Sequence, residues 1–324
     1  MNKLRAFTLL VVMTVSSLCQ AKWYTDSQGI MGTNIHTEVW ADNDDVGKQA
    51  VNAVMDEMQR INQLMSPYIE SSELSQINRQ AAKQPVKISA EMFELLSLSL
   101  GLSAETDGAF DITFASVGYL YDYRQGTKPD QQTIDGLKDA INYRHIRLDP
   151  VQQTVHFAHP KVKIDLGGIA KGHAVDNALA ILRTMGIQHA LVTAGGDTGL
   201  IGDRRGRPWK VGVRDPRDKE KQAVILPLTN VAMSTSGDYE RYFEADGQRY
   251  HHILSPFSGQ SSYEVQSVTI VGPRSTLNDG LSTAVFVLGV QKGIDLINRT
   301  RGYDAIIVDN QRKLHYSNAF SAVD

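Results

Sequence analysis

Apolar and polar residues alternate through Ile35, Thr37 and Val39 in "MGTNIHTEVW" (31–40), the period of a half-buried strand. Asp42 to Asp45 then offer helix caps, and Val46, Ala50, Val54, Met58, Ile61 and Met65 follow at steps of three and four, which gives one buried helix face. Ser66-Pro67 ends that helix, because the residue before a proline is pushed out of the helical region. A second helix is expected from Ser89 to about Thr106, with Met92, Phe93, Leu95, Leu96 and Leu100 inward and "TDGAFD" breaking it. "RQGTKPDQQ" (124–132) reads as a surface loop. "HIRLD" and "TVHFA" read as a hairpin leading to a strand at Val162-Lys163-Ile164, and a helical pattern returns from Lys171 to Met185 through Ala174, Ala178, Ile181 and Leu182.

The second half mixes short apolar runs, "ALVTAGG", "WKVGV", "AVILPL", "VAMSTSG", "SVTIVG" and "AIIVD", with helical patterns around Asn278 to Leu288 and Gly293 to Arg299. Strands neither alternate strictly with helices nor segregate from them, so the pattern predicts an α+β fold with a sizeable mixed sheet flanked by helices. No repeat of fixed period and no Pro-, Gly- or Ser-rich linker divides the chain, so one catalytic domain over 22–324 is expected.

At 324 residues the chain can bury a full core. With 33 basic and 36 acidic residues the net charge is -3, which gives no global field favouring nucleic acid or an anionic membrane. Lys3 and Arg5 precede the apolar run Phe7 to Val15 and the small-residue ending "SLCQA", the layout of a secretory signal peptide over 1–21. That run is too short to span a bilayer. Cleavage after Ala21 removes Cys19, the single cysteine, and leaves a thiol-free chain suited to a periplasm. The rival is a lipoprotein anchored through Cys19, against which stands the bulk of Leu18 just before it.

Five stretches can carry chemistry. In "DLGGIAKG" (165–172) glycines at a strand end precede a helix, where backbone N–H groups can face a phosphate and Lys171 adds a charge. The spacing is neither a dinucleotide fingerprint nor a P-loop, and a tight turn with a solvated lysine fits equally. "TAGGDTG" (193–199) aims Asp197 at a metal or a hydroxyl, or else is a turn held by its Asp, the reading its residues favour. "STSGDYERYF" (234–243) ends a strand with hydroxyls before two tyrosines, suiting a polar ligand edge or an ordinary turn. In "YHHILSPFSG" (250–259) adjacent histidines on an extended segment face opposite ways, so one of His251 and His252 can address a given site. In "NDGLSTAVFVLG" (278–289), a helix starting at Asp279 brings Thr283 one turn above it and Ser282 beside it, hard oxygen donors suited to Mg²⁺, or else a cap and a back-bonded threonine.

In this order the stretches resemble the FAD:protein FMN transferase family, also called ApbE. The likeness runs through "MGT" (31–33), "SPYIESSELSQIN" (66–78), "GAFDIT" (108–113), "DLGGIAKGHAVD" (165–176), "AGGD" (194–197), "STSGDYERYF", "HHILSPFSG" and "DGLSTAVFVLG". The resemblance implies a T-fold-like domain that binds FAD with Mg²⁺, transfers FMN to a Ser or Thr hydroxyl of an exported target flavoprotein, and releases AMP. It implies metal ligands at Asp279, Ser282, Thr283 and the Ala170 carbonyl, and flavin or phosphate contacts from Met31, Tyr68, Ala109, Phe110, Asp111, Gly167, Lys171, His173, Ser236, Gly237 and Ile253. His252 corresponds to its base, and Lys171 to the group holding the separating phosphates.

The chain departs from the family pattern in three places. "SPFSG" stands where the family has Asp-Pro-x-Thr-Gly, "FASVGYLYDYR" replaces the segment after "GAFDIT", and Gly280 replaces the commoner alanine after Asp279. Two other readings remain: a pyrophosphatase splitting FAD to FMN and AMP, and a non-catalytic periplasmic flavin-binding protein.

Overall fold

The computed structural model describes residues 21–321, so the expected leader and Cys19 lie outside the described residues. Strand β1 (Lys22–Ile30) pairs with β2 (Thr33–Ala41), followed by helices α1 (Asp44–Met65) and α2 (Glu73–Gln80), the short β3 (Val86–Lys87) and α3 (Ala90–Glu105). Two short helices, α4 (Ala115–Gly118) and α5 (Gln131–Asp135), precede the hairpin of β4 (Ile146–Asp149) and β5 (Thr154–Phe157) and then α6 (Ala170–Thr184). The second half holds β6 (Ala190–Ala194), β7 (Asp197–Ile201), β8 (Trp209–Arg214), β9 (Gln222–Leu228), β10 (Ala232–Gly237), β11 (Tyr242–Ala245), β12 (Gln248–His251) and β13 (Val265–Gly272). It closes with α7 (Ser275–Arg299), β14 (Asp304–Asp309), β15 (Leu314–Tyr316) and α8 (Asn318–Ser321).

Eight strands form the main sheet in the order β1-β2-β6-β7-β10-β13-β14-β15. The α+β class is as expected, but the expected mixed sheet is antiparallel instead: each of its ladders among the described residues is antiparallel. Antiparallel neighbours need only a tight turn. Met31 and Gly32 make one between β1 and β2, both with positive φ (55° and 69°), as a two-residue turn of matching twist requires. Helices α1, α6 and α7 bury one face of the sheet, and the β8–β9 hairpin covers part of the other through Trp209, Val211, Leu226 and Leu228. In α1 the expected apolar positions Ala50, Val54, Met58, Ile61 and Met65 are all buried, and its backbone leaves the helical region at Ser66.

Two further expectations are corrected. Val162 to Ile164 joins no ladder; the Asn78 side chain takes the place of a neighbouring strand, donating to the Ile164 carbonyl at 2.8 Å and accepting from its N–H at 2.8 Å. A buried backbone needs such a partner, and a side-chain amide offers both polarities. Asp279 does not start its helix. Helix α7 begins at Ser275, where the Asp176 carboxylate accepts from the N–H groups of Ser275 and Thr276 at 2.9 Å. The two helical patterns expected there are both present within α7, parted at the non-helical Gly289 (φ 77°), beside which Glu264 accepts from the Val290 N–H.

Candidate active site

Lys171 stands in the first turn of α6, and its ammonium reaches three oxygens: the Gly167 carbonyl at 2.8 Å, Asp279 at 3.2 Å and Asp197 at 3.2 Å. Both carboxylates are nearly inaccessible, Asp197 at 1 % and Asp279 at 3 % exposure. Asp197 opens β7 just after the Gly195-Gly196 turn and accepts a short hydrogen bond from the Ser234 hydroxyl on β10. It therefore belongs to the site, against the turn-aspartate reading its local sequence favours. Asp197 heads the strand "DTGLI", all five residues of which are buried, a strand not among those expected from the sequence.

Two carboxylates and one ammonium leave this buried cluster with one negative charge in excess. Burial, and then the charge of Asp197, raise the proton affinity of Asp279, opposed by Lys171 and the Gly172 N–H. Burial pulls the Lys171 pKa down, but Asp197 and Asp279 outweigh it and hold the amine above its ordinary range, fully charged.

Glycine is required where α6 crosses α7. A Cβ at Gly172 would meet the Ser275 carbonyl oxygen at 2.3 Å and the Asp279 Cβ at 2.9 Å, and the Gly172 N–H donates to Asp279 at 3.1 Å. Gly172→Ala is expected to lower stability by about 1–3 kcal/mol through this overlap. Urea unfolding checks it, and an unchanged midpoint would show that the helices separate freely.

Hydroxyls line the side next to Asp279. Ser236, near the end of β10, hydrogen-bonds Ser282 at 2.8 Å and lies 3.4 Å from Thr283, while Ser282 donates to the Asp279 carbonyl. A Cβ at Gly168 would approach the Thr283 hydroxyl to 3.1 Å, so the glycine turn before α6 faces these groups. The Ala170 carbonyl sits at the head of α6 in the same neighbourhood. Among the described residues no three His, Cys, Asp or Glu side chains form a metal-binding group. The donors are therefore two carboxylates, hydroxyls and carbonyls, the hard oxygen set suited to Mg²⁺. The unbalanced negative charge gives a divalent cation a reason to enter, so these residues fit the implied ion.

His252 follows the last residue of β12 and is half-buried. Its N–H and its Nδ1 both face the Arg241 carbonyl, at 3.1 and 3.3 Å. A carbonyl only accepts, so the hydrogen sits on Nδ1 and the Nε2 lone pair is free. Burial first, and then the positive charge of Arg241, drive its pKa well below the ordinary histidine range, with Lys171 contributing. It is a neutral imidazole within electrostatic reach of the lysine.

Phe110 packs toward Gly168 and Gly280, with Ala109 buried beside it. The Asp111 carboxylate is engaged by Thr113 and by the Tyr143 N–H at 2.7 Å, which turns the chain after α3. Met31 lies in the β1–β2 turn, whose Thr33 abuts Gly195. Gly237 ends β10 with Tyr239 in the space a Cβ would fill, and Ile253 is buried. Tyr68 is 84 % exposed, a bare ring on the loop after α1. His173 turns away: its Nε2 meets Glu91 at 2.8 Å, in a cluster with Asn177, Glu57 and Arg60 between α1, α3 and α6. An open cleft lined by Gln28, Ile30, Met55 and Gln59 holds none of the site's groups.

The sequence profile described as the ApbE family matches residues 31–307. A "FAD:protein FMN transferase" of Haemophilus influenzae is 31% identical over 341 residues, 99% of this chain and 98% of the relative. One of Treponema pallidum is 30% identical over 319 residues, 91% of this chain and 86% of the relative. Among solved structures, the ApbE protein of Thermotoga maritima superposes with a TM-score of 0.86 at 32% identity, covering 93% of this chain and 98% of the other. A flavin transferase from Vibrio cholerae gives 0.83 at 25%, over 93% and 99%.

Proposed function

We propose that this chain, which belongs to the ApbE family, transfers FMN from FAD to a Ser or Thr hydroxyl of an exported flavoprotein, with Mg²⁺ bound and AMP released. The family is one of flavin transferases, and the chain is an enzyme acting on FAD. The observation that carries the finer reading is the arrangement of Lys171 between Asp197 and Asp279, an ammonium held by two buried carboxylates, with a neutral His252 within its electrostatic reach. The apolar N-terminal run supports export to a periplasm.

Asp279, Thr283 and the Ala170 carbonyl would hold Mg²⁺, with Ser282 supporting Asp279 from the same turn of α7. When bound, the ion supplies positive charge to pyrophosphate oxygens that become more negative as the bond breaks. Lys171 holds the phosphates with a point charge, steered by Asp197 and Asp279 toward the open end of α6. His252 Nε2 accepts the proton of the incoming hydroxyl while that oxygen bonds the FMN-side phosphorus. The bond from this phosphorus to the bridging oxygen breaks, and AMP leaves with the electron pair. Tyr68 offers an uncovered aromatic face to one of the FAD rings.

The base form of His252 is the neutral one, and its pKa is depressed. With Mg²⁺ saturating, so that Asp279, whose pKa burial and Asp197 raise to about 7, is held ionised, transfer is therefore expected to stay level as pH falls from 8 to 6.5 and to drop only below that, as the imidazole gains its proton. A pH profile of kcat/KM at saturating Mg²⁺ checks this, and an inflection at or above pH 7 that more Mg²⁺ does not shift contradicts the assignment.

Flavin fluorescence retained by a candidate acceptor after denaturing electrophoresis tests the transfer itself. FMN and AMP accumulating with an unlabelled acceptor would make the protein a pyrophosphatase. Tight FAD binding without release of either would make it a carrier.

A further inference from the structure

His251, the neighbour of the proposed base, has no place in that chemistry, yet it is 1 % exposed and uses every polar atom it has. Its Nε2 lies 2.6 Å from the Ser262 carbonyl and its Nδ1 accepts from the Ile253 N–H at 3.3 Å. A carbonyl only accepts and an amide N–H only donates, so the ring is fixed as the neutral Nε2–H tautomer. Its backbone is held as firmly. The Ser261 hydroxyl donates to the His251 carbonyl at 2.7 Å and accepts from the His251 N–H at 3.0 Å, and Ser262 N–H donates to the Ile253 carbonyl. The β11–β12 ladder ends at His251, so these bonds replace the sheet where the strand runs out. The ring also packs edge-on against Phe286, 5.5 Å between centroids. Phe286 lies on α7, one helical turn past Thr283 on the helix that carries Asp279.

We propose that His251 and Ser261 are positioning residues: together they form a strut from α7 to the end of β12, directly before His252, fixing the distance between the proposed base and the Asp279–Thr283 end of the site. His252 follows directly on the locked residue and lies within electrostatic reach of Lys171, so fixing His251 against Phe286 fixes the point from which the base projects. This rests on the flavin-transfer reading for its kinetic test, whereas the strut itself concerns His252 alone.

In the full-length chain, Ser261→Ala removes the hydroxyl bridge, Ser261→Thr keeps it, and His251→Phe keeps the packing while losing both ring hydrogen bonds. Ser261→Ala and His251→Phe are expected to lower kcat for transfer by about 10- to 100-fold, the usual cost of a base misplaced by about an ångström, with KM for FAD unchanged. Ser261→Thr restores kcat. An unchanged kcat in both disrupting variants, or no rescue by threonine, overturns the proposal. Carbethoxylation of His252 by diethyl pyrocarbonate, read by mass spectrometry with His36 as reference, needs no turnover. It is expected several-fold faster in Ser261→Ala than in the parent protein, and equal rates reject the strut. A parent protein that modifies no acceptor rejects the transfer reading and leaves this comparison to decide the strut.

Discussion

Asp279→Asn is expected to cost at least about 100-fold in FAD turnover, the scale of removing one preorganised electrostatic group, while leaving the fold as stable as before or more so. The two effects diverge because Asp279 holds the excess negative charge of a buried cluster. Asparagine keeps the shape and an oxygen but brings Lys171 and Asp197 to balance, and it removes the charged ligand a cation would use. Lys171→Met is the opposite case. It leaves Asp197 and Asp279 near one another without a counter-ion, so it loses activity and is expected to cost about 3–5 kcal/mol of stability. Urea unfolding and turnover of FAD measured on both variants check the pair. Equal destabilisation by both would mean that the charge balance drawn here is wrong.

His252→Ala is expected to reduce transfer by about 10²- to 10⁴-fold, the range for a positioned general base, with FAD affinity little changed. Its Nδ1 is turned to the Arg241 carbonyl and its Nε2 is free, so the ring contributes a lone pair rather than a ligand grip. Rapid-quench measurement of acceptor labelling separates the two quantities. A variant that transfers at the parent rate removes His252 from the role, and one that no longer binds FAD makes it a binding residue.

Regular elements were legible where burial imposes a period. The i, i+4 spacing of Val54 and Met58 in α1, and the alternation of Ile35, Thr37 and Val39 in β2, are each set by one apolar face. The unforeseen pieces answer to partners distant in sequence. Ile164 has its backbone bonds met by Asn78, and the first turn of α7 is capped by Asp176, about a hundred residues earlier, so no local window contains either cause. The strand β1 was hidden because its residues 25–29 are mostly polar and its pairing depends on β2.

At the site, Lys171, Asp279, Thr283 and His252 came from the order of motifs along the chain, since each stretch by itself also fits a turn or a cap. Asp197 was readable as a turn residue because glycines precede it, and only the packing of α6 against β7 brings Lys171 to it. His173 shows the converse. Two residues beyond Lys171 on a helix, it lies on a different face, where its ring meets Glu91.

The buried cluster around Lys171 and the neutral His252 are proposed to serve transfer to a protein hydroxyl. The most direct test is intact-mass analysis of a flavoprotein acceptor after incubation with this protein, FAD and Mg²⁺. One FMN joined through a phosphoester to a single Ser or Thr, with AMP formed in equal amount, is the result predicted. An acceptor of unchanged mass beside accumulating FMN and AMP would contradict it.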